Sequence, residues 1–159
     1  MDLKNFRFDV DGDGIALVTW DMADRSMNVI DVSVMSELDA IIDRVASDAA
    51  IKGAVLTSGK ASFSGGADLS MLQGLGRDLA AISKVQGPEQ LSKLFFDQSR
   101  KLSQIYRKLE TCGKPWAAAI NGVALGGAFE LCLACHYRVL SDSDKARVGL
   151  PEVKIGLFP

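Results

Sequence analysis

The spacing of apolar and polar positions changes along this chain, and each change marks an element. Phe6-Arg-Phe-Asp-Val10 alternates, which predicts a half-buried strand. Asp11-Gly-Asp-Gly14 is a turn signal, and Gly14-Ile-Ala-Leu-Val-Thr-Trp-Asp21 reads as a second strand, so the two form a hairpin. From Val32 to Ser47 the period lengthens. Met35, Leu38, Ile41, Ile42 and Val45 share one helical face, behind Asp31 as N-cap. Lys52 to Ser58 predicts a buried strand that ends in a turn at Gly59.

Asp68 is a suitable cap for a short helix through Leu72. Residues Gly74 to Gly87 have weak periodicity and are expected to form a loop or a frayed helix. Pro88 then opens a long helix, striped by Leu91, Leu94, Phe95, Leu102, Tyr106 and Leu109 and stopped by Gly113 and Pro115. Trp116 to Ile120 is a short strand, followed by a tight turn at Asn121-Gly122. A Gly126-Gly127 pair begins another helix, and Glu152 returns on a loop after the next strand. Strands and helices alternate throughout, which argues for an α/β architecture without an internal repeat of fixed period.

Composition narrows the function classes. With 159 residues, 48% of them hydrophobic, the chain is long enough for one cored domain over residues 1–159. A net charge of −2 gives no basic stripe, which argues against nucleic acid as a partner. No apolar run reaches the roughly 18 residues of a membrane span, and the N-terminus lacks a signal-peptide pattern. Three cysteines, an odd count, suit a reducing cytosol, so a cytoplasmic location is expected. The apolar ending Lys154-Ile-Gly-Leu-Phe-Pro159 suggests the front part of a longer protein.

The candidate chemistry lies between Lys114 and Pro159. A helix that starts on glycines presents bare backbone N–H groups and a positive dipole end, which can hold a developing negative charge. Glu130 lies three residues into that helix, and Glu152 supplies a second carboxyl group. Other motifs have plainer readings. Cys132-Leu-Ala-Cys135 sits in an apolar helix and reads as core packing. His136 reads as a helix C-terminal cation or a satisfied core group. Asp11 to Gly14 lacks the later ligands of a calcium loop and reads as a hairpin turn.

Three segments taken together resemble the crotonase (enoyl-CoA hydratase/isomerase) family: Phe63-Ser-Gly-Gly-Ala-Asp68-Leu, Asn121-Gly-Val-Ala-Leu-Gly-Gly127-Ala-Phe-Glu130 and Gly149-Leu-Pro-Glu152. The resemblance covers nearly the whole chain. The two glutamates are 22 positions apart. That spacing, with Ala134-Cys-His-Tyr-Arg138, looks most like the hydratase end of the alpha subunits of fatty-acid β-oxidation complexes.

The resemblance implies a crotonase-like (ClpP/crotonase) spiral of ββα repeats, truncated at its C-terminus. It implies Glu130 and Glu152 as the acid/base pair and the N–H groups of Ala67 and Gly127 as an oxyanion hole. Gly65, Gly66, Asp68, Leu69 and Gly126 would lie along the bound substrate. Ala128 departs from the family, which commonly has a third glycine there. The implied reaction is syn addition of water to a trans-2-enoyl-CoA, giving 3-hydroxyacyl-CoA. Isomerase or CoA-thioester hydrolase activity on the same fold is the alternative, as is a fragment inactive in isolation. From another class, a crotonase-like binding domain would be expected to lose one of the two glutamates, and this chain keeps both. Hydration needs no cofactor and no metal, CoA being part of the substrate. NAD is expected only for an absent downstream 3-hydroxyacyl-CoA dehydrogenase part. The implied partners are an acyl-CoA thioester and either further copies of the chain or a thiolase beta subunit.

Overall fold

The computed structural model describes residues 2–82 and 87–159. Strand β1 (Phe6–Val10) pairs antiparallel with β2 (Ile15–Trp20), with Phe6 opposite Trp20, as the hairpin pattern requires. Asp11 Oδ1 accepts hydrogen bonds from the N–H groups of Asp13 and Ile15, so this aspartate closes the turn. β3 (Gly53–Ser58), β4 (Trp116–Ile120) and β6 (Tyr137–Leu140) extend the sheet in parallel, giving the order β1-β2-β3-β4-β6. Parallel neighbours need crossovers, and helices supply them.

Helix α1 (Val32–Ser47) crosses between β2 and β3. Asp31 caps it by accepting from the Val34 N–H, and Val34, Leu38, Ile41, Ile42 and Val45 are buried. Met35, expected on the same face, is only partly buried. Between β3 and β4 run α2 (Leu69–Ile82) and α3 (Pro88–Thr111). α2 continues well past Leu72, so the loop expected from Gly74 onward is helical as far as Ile82, and residues 83–86 of that expectation lie outside the described residues. α3 begins at Pro88 as read from the sequence and packs against α1 and α4 (Gly127–Ala134). The Lys108 ammonium bridges the Asp39 and Asp43 carboxylates at 2.7 Å each and ties α3 to α1.

Trp20 and Trp116 anchor the core beneath these helices, and both are almost fully buried. Trp20 stacks on Phe6 and meets Phe63 edge-on, with ring centres 5.7 and 6.2 Å apart. Cys132 and Cys135 join this core as free thiols, and burial pushes Cys135 up to about 12. Both cysteines therefore pack as small apolar groups. Nδ1 of the exposed His136 accepts from the Trp116 N–H at 3.1 Å, fixing the start of β4.

One short ladder was not foreseen. β5 (Ala124–Leu125) and β7 (Val148–Gly149) pair in parallel, with Leu125 opposite Gly149. Two residues are too few for a period to show in sequence. Among the described residues, no helix is long and apolar enough to cross a membrane.

Candidate active site

The site forms where three segments meet. Residues 64–68 are threaded between two others. On one side, Gly65 N–H donates to Asn28 O, Ile30 N–H to Gly66 O and Asp68 N–H to Ile30 O, at 2.8–3.0 Å. On the other, Ser64 N–H donates to Val123 O and Leu125 N–H to Ser64 O. Gly66 has a positive φ of 91°, and a Cβ there would lie 2.7 Å from Leu125 O. Only glycine allows both the conformation and that approach. Ala67 and Gly127 therefore follow two backbones that touch. Among the described residues, neither the Ala67 N–H nor the Gly127 N–H donates to an internal acceptor.

The β5–β7 ladder brings in the second carboxyl group. Gly126 N–H donates to Gly149 O at 2.9 Å, so the chain beyond β7 starts beside the N-terminus of α4. Pro151 then caps a single 3₁₀ turn, Glu152–Ile155. Glu152 Oε1 packs against Gly126, and its Oε2 is buried without a hydrogen-bond partner. A buried unpaired carboxylate oxygen costs about 1–3 kcal/mol, and such atoms call for a functional account. Glu130, on the first turn of α4, is half-buried, and its carboxyl is held above the usual range by burial and then by the charge of Glu152. The two glutamates thus share one electrostatic environment.

The remaining sequence candidates take different places. Asp68 is buried, and its Oδ1 accepts from Ser70 N–H (2.7 Å) and Met71 N–H (3.2 Å) as the cap of α2. Its Oδ2 pairs with Arg25 at 2.7 Å. The Met71 bond, partly offset by burial and aided by Ser70 and Arg25, holds this carboxyl below its ordinary value. The Asp68 backbone is engaged as well, its N–H donating to Ile30 O and its carbonyl accepting from the Leu72 N–H. Leu69 is exposed at the start of α2, and the exposed Gly65 faces Met27.

Two buried polar residues were missed in the sequence. The Asn28 amide donates to Trp20 O, Ser58 Oγ and Phe63 O and accepts from Met22 N–H, pinning the approach to Gly65. Tyr106, read only as part of an apolar stripe, donates its hydroxyl to Gly127 O at 2.6 Å. The available signal was an asparagine between Met27 and Val29, and a tyrosine where a purely apolar side chain would fill the stripe.

Two unpaired N–H groups, one opening α4 at Gly127 and one on the adjoining segment at Ala67, can hold an oxyanion, and two neighbouring carboxyls can relay protons. A family profile described as enoyl-CoA hydratase/isomerase matches residues 11–159. Fatty acid oxidation complex subunit alpha of Idiomarina loihiensis is 39% identical over 157 residues, and that of Shewanella amazonensis is 41% identical over 157. Each alignment takes in 98% of this chain and 20% of the relative, so the chain spans about a fifth of their length. Among solved structures, an enoyl-CoA hydratase from Bacillus anthracis superposes with a TM-score of 0.77 at 26% identity, over 98% of this chain and 54% of that one. An enoyl-CoA hydratase/isomerase from Xanthobacter autotrophicus Py2 gives 0.73 at 27%, over 97% and 51%. With its crotonase fold and a match across nearly its full length, the chain belongs to the enoyl-CoA hydratase/isomerase family.

Proposed function

We propose that this chain carries the hydratase chemistry of a fatty-acid β-oxidation enzyme, adding water to a trans-2-enoyl-CoA. In this reading the thioester oxygen sits against the N–H groups of Ala67 and Gly127. Negative charge gathers on that oxygen as a new C–O bond forms at the β-carbon, and one such donor is worth about 3–4 kcal/mol. Glu130 takes a proton from the attacking water and Glu152 gives one to the α-carbon, so the elements of water are added and the pair exchanges its proton before the next turn. A carboxyl with a raised pKa is a stronger base once ionised, which suits Glu130 to the water. The observation that carries the proposal is the packing of Glu152 against Gly126, one turn from Glu130 and one residue from the Gly127 N–H. The stretch holding Gly65, Gly66, Asp68 and Leu69, with Gly126, is assigned to lie along the CoA thioester.

The same pair supports a second reaction. Glu152 Oε2, buried and unpartnered, suits a proton shuttle that moves a double bond from position 3 to position 2. The relatives' name, subunit alpha of a fatty acid oxidation complex, is in keeping with a larger assembly; to it the reading adds, from the family resemblance alone, a thiolase beta subunit, an NAD-dependent dehydrogenase part and a cytoplasmic setting.

Loss of the enoyl thioester absorbance of 2-butenoyl-CoA tests hydration. It is followed for the 159-residue chain and for a chain completed to the length of the solved hydratases. Glu130→Gln and Glu152→Gln are each expected to lower turnover by about 10²–10⁴-fold. Undiminished turnover in Glu152→Gln overturns the assignment.

A further inference from the structure

Two adjacent glycines give the start of α4 the shape it needs. Gly126 adopts a φ of 54°, and a Cβ on Gly127 would fall 3.2 Å from Ile30 Cδ1 and 3.4 Å from Leu102 Cδ2. A glycine pair also leaves the backbone loosely restrained, whereas an oxyanion donor works through being fixed beforehand. Something other than local stiffness must hold this turn.

Tyr106 answers that need from a different helix. Its ring is buried on α3 between Leu102 and Leu109, one turn to either side. Its hydroxyl lies 3.5 Å from the Cβ position of Gly127 and donates to the Gly127 carbonyl at 2.6 Å. Burial pushes this phenol far above its ordinary range, and the charge of Glu130 adds to the effect, so the group stays a proton donor. The bonded carbonyl belongs to the residue whose N–H is the assigned oxyanion donor, three positions before Glu130.

We infer that Tyr106 is a positioning residue for the reaction, its hydroxyl clamping the first turn of α4 so that the Gly127 N–H and the Glu130 carboxyl keep a fixed relation. The inference rests on the hydratase reading for its effect on rate. The clamp itself is a property of the fold and can be measured separately. The residue makes no proposed contact with the thioester or with the CoA segment at Gly65 to Leu69. It therefore acts on the chemical step and leaves substrate affinity largely untouched.

Tyr106→Phe keeps the ring and removes only the hydroxyl. With 2-butenoyl-CoA, kcat is expected to fall about tenfold while KM stays within about twofold, the pattern of an interaction made in the transition state. Acetoacetyl-CoA, whose enolate absorbs distinctly and mimics the charged oxygen, is expected to bind with a smaller enolate fraction. General destabilisation of a folded protein does not produce that change. Backbone amide exchange gives a readout that needs no turnover. Exchange at Phe129, Glu130 and Leu131 is expected to quicken about tenfold relative to Ile41 and Ile42 of α1. Unchanged exchange on α4, or an unchanged kcat in an active protein, overturns the clamp. Quickened exchange, with no enoyl-CoA hydration even in the chain completed to the length of the solved hydratases, upholds the clamp and overturns the hydratase reading alone.

Discussion

Glu152 Oε1 occupies the space that a side chain on Gly126 would need: a methyl placed there would lie 2.7 Å from that oxygen. Gly126 also has a φ of 54°, where L-residues are strained. The backbone that turns into α4 and the second carboxyl group are therefore fitted to each other.

Gly126→Ala is expected to push the Glu152 carboxylate away and strain the turn together. Strain of this kind costs about 1–3 kcal/mol, and a displacement near 1 Å lowers turnover by about 10²-fold. Thermal unfolding and enoyl-CoA hydration, measured on one preparation, check both. A variant with full turnover would separate Gly126 from the carboxyl geometry.

Glu130 offers a test in pH. Its folded-state carboxyl is raised by burial first and by Glu152 second, so the folded chain holds this proton more tightly than the unfolded chain. Stability attributable to the group then falls as pH rises from the ordinary glutamate range through the folded value. Glu130→Gln removes that loss. Its denaturation midpoint in urea is expected at or above the parent's near neutral pH, with the difference closing below the ordinary glutamate range. A gap of constant size at every pH rejects the argument.

Asp68 behaves in the opposite sense. Its carboxyl is lowered, chiefly by the Met71 N–H, so its contribution is present above the ordinary aspartate value and lost as pH falls through the folded one. Asp68→Ala is expected to cost about 1–2 kcal/mol as a lost cap, and Asp68→Asn, which keeps an acceptor for Ser70 and Met71, distinctly less. Chemical denaturation of the two variants side by side measures the difference.

Asn28→Ala would leave the Trp20 and Phe63 carbonyls and the Met22 N–H without their side-chain partner in the interior. The expected cost is about 3 kcal/mol or more, with faster amide exchange at Gly65 and Gly66. An effect confined to global stability, with no change at those two amides, would remove Asn28 from the support of the site.

The elements with a clear period were legible in the sequence. α1, α3 and the first four strands follow apolar spacings that leave one consistent answer. α2 was cut short because Gly74 and Gly76 suppress helix propensity, although Leu72, Leu75, Leu79 and Ile82 keep a helical spacing. The three motif segments are stretches that the fold sets side by side: residues 64–68, the start of α4 and the turn after β7. Tyr106 escaped because its partner Gly127 lies 21 residues away, and Asn28 because it joins near partners at Trp20 and Met22 to distant ones at Ser58 and Phe63, 30 and 35 residues off. No local pattern encodes such pairs.

The separate arrival of Glu152 has an evolutionary consequence. Glu130 and the Gly127 N–H ride on one helix, while Glu152 is delivered by a two-residue ladder and a single 3₁₀ turn. Exchanging that last short delivery would replace the carboxyl proposed as the second proton group and leave the amides assigned to the oxyanion where they are. A scaffold wired this way can change the group that would handle the second proton by editing a handful of residues, with the start of α4 left alone.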